Sequence, residues 1–306
     1  MIERDLRFFV ITIALMTGVV NVVSAQDPMA WWNARHQWDG HTHWTRYLTI
    51  APAYLGPNAL PVPEIRPASL PSAPQFQVSF EGHFSKGDNT QDLYAEVYHP
   101  IGQSAGLRIY SAAVEHYITD TLTRDLRASR EKDPRGISFG DIYVSTEIML
   151  CKDRERGPDI MLGIHLRTAS GDKLKGARHT DTPGYHFDMT FSRTIQRPGR
   201  KLKEVTPFAQ AGFYVWQMLR DDLLQNDAPS YGAGIEAASD KLRLRAAAGG
   251  YAGYLGDGDQ PLVARLDLWY QLNEGTRLNL RYQEGIHDFP YRSVRTGLVM
   301  DLKPGR

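Results

Sequence analysis

Residues 74–85 read PQFQVSFEGHFS. In an extended chain Phe76, Val78, Phe80 and Phe84 fall on one side, with Gly82 between them, and Gln75, Gln77, Ser79, Glu81, His83 and Ser85 fall on the other. An unbroken two-residue period marks a strand with one apolar face and one wet face. Which face points inward decides the fold. A soluble sandwich buries the aromatics, whereas a membrane barrel turns them to lipid and encloses the polar set.

The same pattern recurs along the chain. Candidate strands lie at about 74–85, 91–100, 105–118, 138–151, 158–168, 184–195, 203–217, 229–238, 241–254, 260–272, 276–286 and 291–302. In FGDIYVSTEIML, Ile142, Val144, Ile148 and Leu150 oppose Asp141, Tyr143, Ser145 and Glu147. In TRLNLRYQ, Leu278, Leu280 and Tyr282 oppose Arg277, Asn279 and Arg281. Alternation alone does not separate a sandwich from a barrel, but the connections do. Those after odd strands include TDTLTRDLRASREKDPRG, ASGDKLKGARHTDTP and MLRDDLLQNDAP, and the first is the six-residue KGDNTQ. Those after even strands are tight: PIGQSA, KDRERG, QRPGRK, ASDK and NEGT. Short periplasmic turns opposite longer extracellular loops are a property of outer-membrane barrels. An even strand count also returns both chain ends to one side. The sequence therefore predicts an all-β transmembrane antiparallel barrel of about twelve strands over 74–306. Tyr98, Tyr117, Phe139, Tyr185, Trp216, Tyr231, Tyr254, Trp269, Tyr282 and Tyr291 sit toward strand ends, where interfacial aromatic girdles are expected.

The segments before the first strand differ in kind. MIERDLRFFVITIALMTGVVNVVSAQ has an early charged stretch, an apolar run from Phe8 to about Val23 and the small residues Ser24 and Ala25, the pattern of a signal peptide over 1–25. Residues 26–73 are rich in tryptophan at first and in proline later, and proline removes ladder donors. Its apolar content is too high for a plain linker, so a periplasmic or lumen-plugging segment, docked at or in the periplasmic mouth, is expected. The 35 Lys and Arg balance 35 Asp and Glu, which argues against nucleic acid as a partner. A lone cysteine, Cys151, excludes an intrachain disulfide.

Two stretches carry a resemblance. GPNALPVPEI (56–65) resembles a segment of uncharacterised Bacteroidetes-type outer-membrane barrels. The block GDIYVSTEIML…GPDIMLGIHLRTASGDK (140–173), followed by GYHFDMTFSRTI (184–195), is similar to transporter-like barrels associated with phenol degradation. The resemblance implies a barrel and a transport role, and it brings no functional residues with it.

The polar faces supply the candidate site. Glu81, Glu96, Glu147, Arg167, Asp188, Arg243, Arg245, Arg265, Asp267, Arg277, Arg281 and Arg295 are expected to line the lumen, as a paired network, a selective channel, or both. His41 and His43 share a face of an extended chain and are weak candidates for a metal. His287, Asp288 and Ser293 are the residue types of a hydrolase, at a spacing that does not bring them side by side on one strand. No cofactor and no catalytic set is implied. The expected function is passage of small solutes across the bacterial outer membrane, with outer-membrane lipid as surroundings. A structural or partner-binding barrel of an envelope assembly is the alternative, and a lipid-modifying hydrolase the second.

Overall fold

The computed structural model describes residues 27–152 and 157–302, so the expected signal peptide lies outside the described residues. The chain divides into two compact units, the first ending at Asp39. In that unit Asp27 accepts hydrogen bonds from the Met29 N–H (2.8 Å) and the Asn33 amide (2.7 Å), at the start of helix α1 (Ala30–Arg35).

Among its described residues the second unit holds fourteen strands: β1 (Gln75–Ser85), β2 (Asp88–Ile101), β3 (Ala105–Thr119), β4 (Arg135–Ser138), β5 (Tyr143–Cys151), β6 (Asp159–Arg167), β7 (Gly184–Ser192), β8 (Ile195–Gln196), β9 (Glu204–Gln217), β10 (Gln225–Ala238), β11 (Leu242–Tyr251), β12 (Leu262–Asn273), β13 (Thr276–His287) and β14 (Arg292–Asp301). Twelve of them close an antiparallel cylinder, each pairing with the next, and β14 returns to β1 from Gln75↔Asp301 to Phe84↔Arg292. The short β4 and β8 extend the ladder at β3 and β9. Closure leaves no sheet edge, which is what an apolar solvent demands of backbone N–H and C=O groups.

The cylinder is inside-out relative to a soluble protein. Phe80, Leu93, Ile109, Phe187, Phe213, Leu266, Leu280 and Val294 are exposed on its outer surface, while Ser79, Glu81, Asp92, Glu147, Arg265 and Asp267 are buried within. This parity follows from PQFQVSFEGHFS, whose Phe80 and Phe84 are exposed and whose Ser79, Glu81 and His83 are buried. Such an exterior is stable against lipid and not against water. No helix among the described residues is long and apolar enough to cross a membrane.

Loops at one end span 120–142, 168–183, 218–224, 252–261 and 288–291, and the other end has the turns 102–104, 239–241 and 274–275. The six-residue connection expected after the first strand is shorter. KGDNTQ collapses to a two-residue turn at Lys86 and Gly87, because Gly87 takes φ +83° and lets β2 start at Asp88. The aromatic girdle is also only partly outward. Phe139, Tyr185, Tyr231, Tyr254 and Tyr282 are exposed, but Tyr98, Tyr117, Trp216 and Tyr291 are buried inside, on the lumen parity of their strands and connections. Free Cys151 is half-buried at the end of β5.

An arginine placed on the lipid face near mid-membrane costs about 2–4 kcal/mol. Leu280→Arg is therefore expected to lower the unfolding free energy by about that amount, measured by urea titration in lipid vesicles. A neutral result would show that this face does not meet acyl chains.

Candidate functional site

The lumen is built from two parts, the inward side chains of the strands and the proline-rich segment leading to β1. Between residues 50 and 74 prolines remove donors at positions 52, 57, 61, 63, 67, 71 and 74, so the segment carries more carbonyl acceptors than N–H donors. The wall supplies donors to match. The Trp216 indole reaches the Ile50 carbonyl (3.4 Å), and the Tyr291 hydroxyl reaches that of Leu55 (3.1 Å). Arg167 donates to the Ala59 carbonyl (2.5 Å), and Tyr251 to that of Leu60 (2.8 Å). Arg265 bridges the carbonyls of Val62 and Pro63, each at 2.7 Å.

These contacts give the segment a direction. Arg46 pairs with Asp222 and the Ala53 N–H bonds to the Gly258 carbonyl (3.2 Å), both partners in long loops. Further along, Ala68 N–H reaches Ser192 Oγ (3.1 Å) at the tight-turn end of β7. The segment thus runs through the lumen from the long-loop end to the tight-turn end, where β1 begins. The donors that satisfy its carbonyls lie along the inner wall of the barrel. Apolar packing adds to this: buried Ile65 meets Phe208 and Ala247. Gly232 and Gly249 on β10 and β11 make the space, since a Cβ at either would come within 2.8 Å or 2.6 Å of Ile65.

The long-loop half is closed further by the 168–183 connection. Its Arg178 is fully buried and bonds Asp88 (2.7 Å), Glu115 (2.7 Å) and Thr90 (2.8 Å). Arg127 and Tyr291 also bond Asp88, at 2.6 Å and 2.8 Å, and Asn58 bridges Asp92 (2.8 Å) and Glu115 (2.9 Å). On the loops, hydrogen bonds from Arg220 and Arg46 hold the Asp222 carboxyl well below the usual carboxylate range.

The sequence-predicted lumen residues fall into cross-strand pairs. Arg295 bonds Glu81 (2.6 Å) and Arg281 bonds Asp267 (2.6 Å), each pair directly opposite in the ladder. Glu236 on β10 accepts from Arg243 (2.7 Å) and Arg245 (2.8 Å), and Arg277 bonds Asp301 (2.6 Å). Arg108 joins Glu96 to Glu147, which also pairs with Arg66 of the central segment. Arg281 reaches Glu64 of the same segment at 2.5 Å and 2.9 Å. Asp188 bonds His165 (2.8 Å), and Arg167 also faces Asp141 at 3.5 Å. Arg108 and Glu236 were left out of the sequence-based set although strand parity points them inward. The Asp88, Glu115 and Arg178 cluster was not foreseeable, since it depends on a loop folding back.

Toward the tight-turn end the lumen opens into a cavity of about 590 Å³. Nine Arg and Lys side chains and five carboxylates line it, an excess of four positive charges, and it reaches the 239–241 turn and Asp301. Glu64 and Arg281, with Tyr94, Tyr110, Tyr143 and Arg295, form part of the wall it shares with a second cavity of about 80 Å³. The other candidates do not assemble. Ser293 Oγ is buried on His83 (2.7 Å), whereas the His287 ring is exposed, bonds the Gln260 carbonyl (2.9 Å) and lies 3.4 Å from Asp288, so the serine is parted from the other two. Two clusters of three potential metal ligands occur among the described residues, and neither contains His41 or His43.

No protein-family model matches the sequence, and no curated protein does. Among solved structures the chain is similar to the COG4313 outer membrane channel from Pseudomonas putida F1, with 11% identity over 78% of this chain and 100% of that one, at a TM-score of 0.53. It is also similar to the NanC porin (11% identity, 74% and 100% covered, TM-score 0.48) and to the KdgM porin in complex with disordered oligogalacturonate (9%, 74% and 99%, 0.45). At this identity the likeness bears on the fold alone, a closed antiparallel β-barrel.

Arg281 neutralises two carboxylates from different parts of the chain. Arg281→Met is expected to cost about 3–5 kcal/mol, the usual result of stranding a buried charge, here that of Asp267, since the Glu64 side chain is 41% exposed. Adding Asp267→Leu and Glu64→Leu should recover most of it, read as the shift in urea midpoint in vesicles. A single variant within 1 kcal/mol of wild type, on the order of a surface pair, would mean that the three groups are not an energetic unit.

Proposed function

We propose that the protein is an outer-membrane channel for small solutes, selective for negative charge and held closed by its own residues 50–68. The observation that carries this reading is the cavity of about 590 Å³, lined by an excess of positive charge, open toward the tight turns and stopped by the Glu64–Arg281 pair. Cationic walls in a confined lumen concentrate anions and repel cations. On this reading residues 1–25 direct export, the tight turns face the periplasm, the long loops face outward, and the exterior strand faces meet outer-membrane lipid. The chemistry of the lumen, and not the likeness of residues 140–173 to barrels associated with phenol degradation, indicates the class of solute. The charged residues act by attraction and need no covalent step.

A second reading, a structural or partner-binding barrel, is favoured by one observation: the lumen segment is anchored at both ends and along its length. Conductance separates the two. In planar bilayers the wild type is expected to be mostly closed. Glu64→Gln combined with Arg66→Gln removes the segment's two ion-pair anchors and should raise open probability, with a reversal potential in a salt gradient that reports anion preference. Folded barrels of both forms that never conduct would reject the channel, and cation preference would reject the charge argument.

A further inference from the structure

We propose that His165, His186 and Asp188 form a binding site for a divalent transition-metal ion of the Zn²⁺ class in the wall of the lumen. The inference does not depend on the channel reading. His165 on β6 and His186 on β7 are opposite each other in the ladder, and Asp188 lies two residues along β7, on the same face. The two imidazoles stack with centroids 5.1 Å apart. His165 Nε2 is 2.8 Å from Asp188 Oδ2, and His186 Nδ1 is 3.5 Å from the same oxygen. All three donor atoms lie within 4.8 Å of one another.

Those separations match what an ion needs. Zinc bonds of about 2.0–2.1 Å in a tetrahedron place neighbouring donors about 3.3 Å apart, and the observed 2.8 Å and 3.5 Å lie on either side of that edge. An ion would take the place of the His165–Asp188 hydrogen bond with small ring movements.

Two further features are built around the same point. Gly163 is the ladder partner of Asp188, and a Cβ there would come within 2.5 Å of His165 Nε2 and 2.6 Å of Asp188 Oδ2. Only glycine leaves room where the donors converge. The other nitrogen of each ring is held by a serine: Ser145 Oγ is 2.8 Å from His165 Nδ1, and Ser230 Oγ is 3.0 Å from His186 Nε2. Outer hydrogen bonds of this kind fix which nitrogen faces a metal. Thr190 donates to the second oxygen of Asp188 (3.3 Å).

His165 and His186 also line the large cavity, so an ion has a route in, against the excess positive charge of that lining, and its fourth position faces water or solute. Two imidazoles and one carboxylate suit Zn²⁺, Co²⁺, Ni²⁺ or Cu²⁺ and not the all-oxygen preference of Mg²⁺ or Ca²⁺. The other cluster, Glu81, His83 and Asp92, also has its imidazole held by a serine (Ser293, 2.7 Å), but it offers one imidazole and its carboxylates are already engaged. Its glutamate is engaged by Arg295 and its aspartate by Asn58.

The test uses full-length protein without a histidine tag, purified in detergent, stripped with chelator and titrated with ZnCl₂ at neutral pH by calorimetry. Co²⁺ serves as a second probe, because tetrahedral coordination gives it strong visible absorption. One ion per chain is expected. Asp188→Asn and His186→Gln should each weaken binding by more than about tenfold, a loss that even outer-sphere changes can cause at metal sites. Gly163→Ala should do the same with all three ligands intact. Each variant is checked for the heat-sensitive gel migration of a folded barrel, and any one that fails is replaced by His165→Gln. His41→Gln with His43→Gln should leave binding unchanged. Absence of saturable binding overturns the site. So does binding that survives the ligand substitutions, or that disappears with the His41 and His43 pair.

Discussion

The structure depends on one match, between a proline-rich chain that offers carbonyls and a wall that offers N–H and O–H groups. Five side chains, from Trp216, Tyr291, Arg167, Tyr251 and Arg265, meet six carbonyls between Ile50 and Pro63. A strand in this place would bring as many donors as acceptors and would need a partner edge, which a closed barrel does not have. Proline solves this by subtraction. With fewer N–H groups of its own, the segment chiefly needs donors for its carbonyls, and arginine, tyrosine and tryptophan side chains of the lumen supply them. The filled long-loop half, the direction of threading and the blind shape of the main cavity all follow from this fit.

Much of the fold was legible because a barrel writes itself into sequence with a period of two. All twelve barrel strands fall where alternation put them, and the parity of Phe80, Glu81, Leu280 and Arg281 is as PQFQVSFEGHFS and TRLNLRYQ indicated. The errors sit where alternation stops. Residues 139–142 leave the ladder before β5 begins at Tyr143, and β2 starts three residues early because a two-residue turn with Gly87 suffices. Tyr98, Tyr117, Trp216 and Tyr291 were assigned to the membrane interface by position along the strand, but which face a side chain takes is set by parity, and theirs is inward.

The site was less legible, since pairing is a property of register and not of the order of residues along one strand. Glu81 and Arg295 are 214 residues apart and directly opposite. His165, His186 and Asp188 come together because β6 and β7 are aligned to place Arg167 opposite Gly184. Glu64 and Arg66, which tie the segment to two separate charge networks, sit in a stretch whose sequence shows only proline and apolar residues around them.

The division of the lumen into a closed half and an open half reflects how its arginines are spent. Arg127 and Arg178 are buried and face carboxylates or hydroxyls on the long-loop side, so their charge is not presented to the main cavity. Arg243 and Arg277 also have carboxylate partners, yet their side chains remain 48% and 28% exposed. Pairing a guanidinium uses some of its five N–H donors and leaves others free to point elsewhere. Near the tight turns, two arginines share Glu236, so one of those two positive charges is left without a matching carboxylate. Field strength at the mouth therefore comes from incomplete neutralisation, while rigidity deeper in comes from near-complete neutralisation. A chain with equal numbers of acidic and basic residues acquires a cationic vestibule in this way, by placement and not by composition.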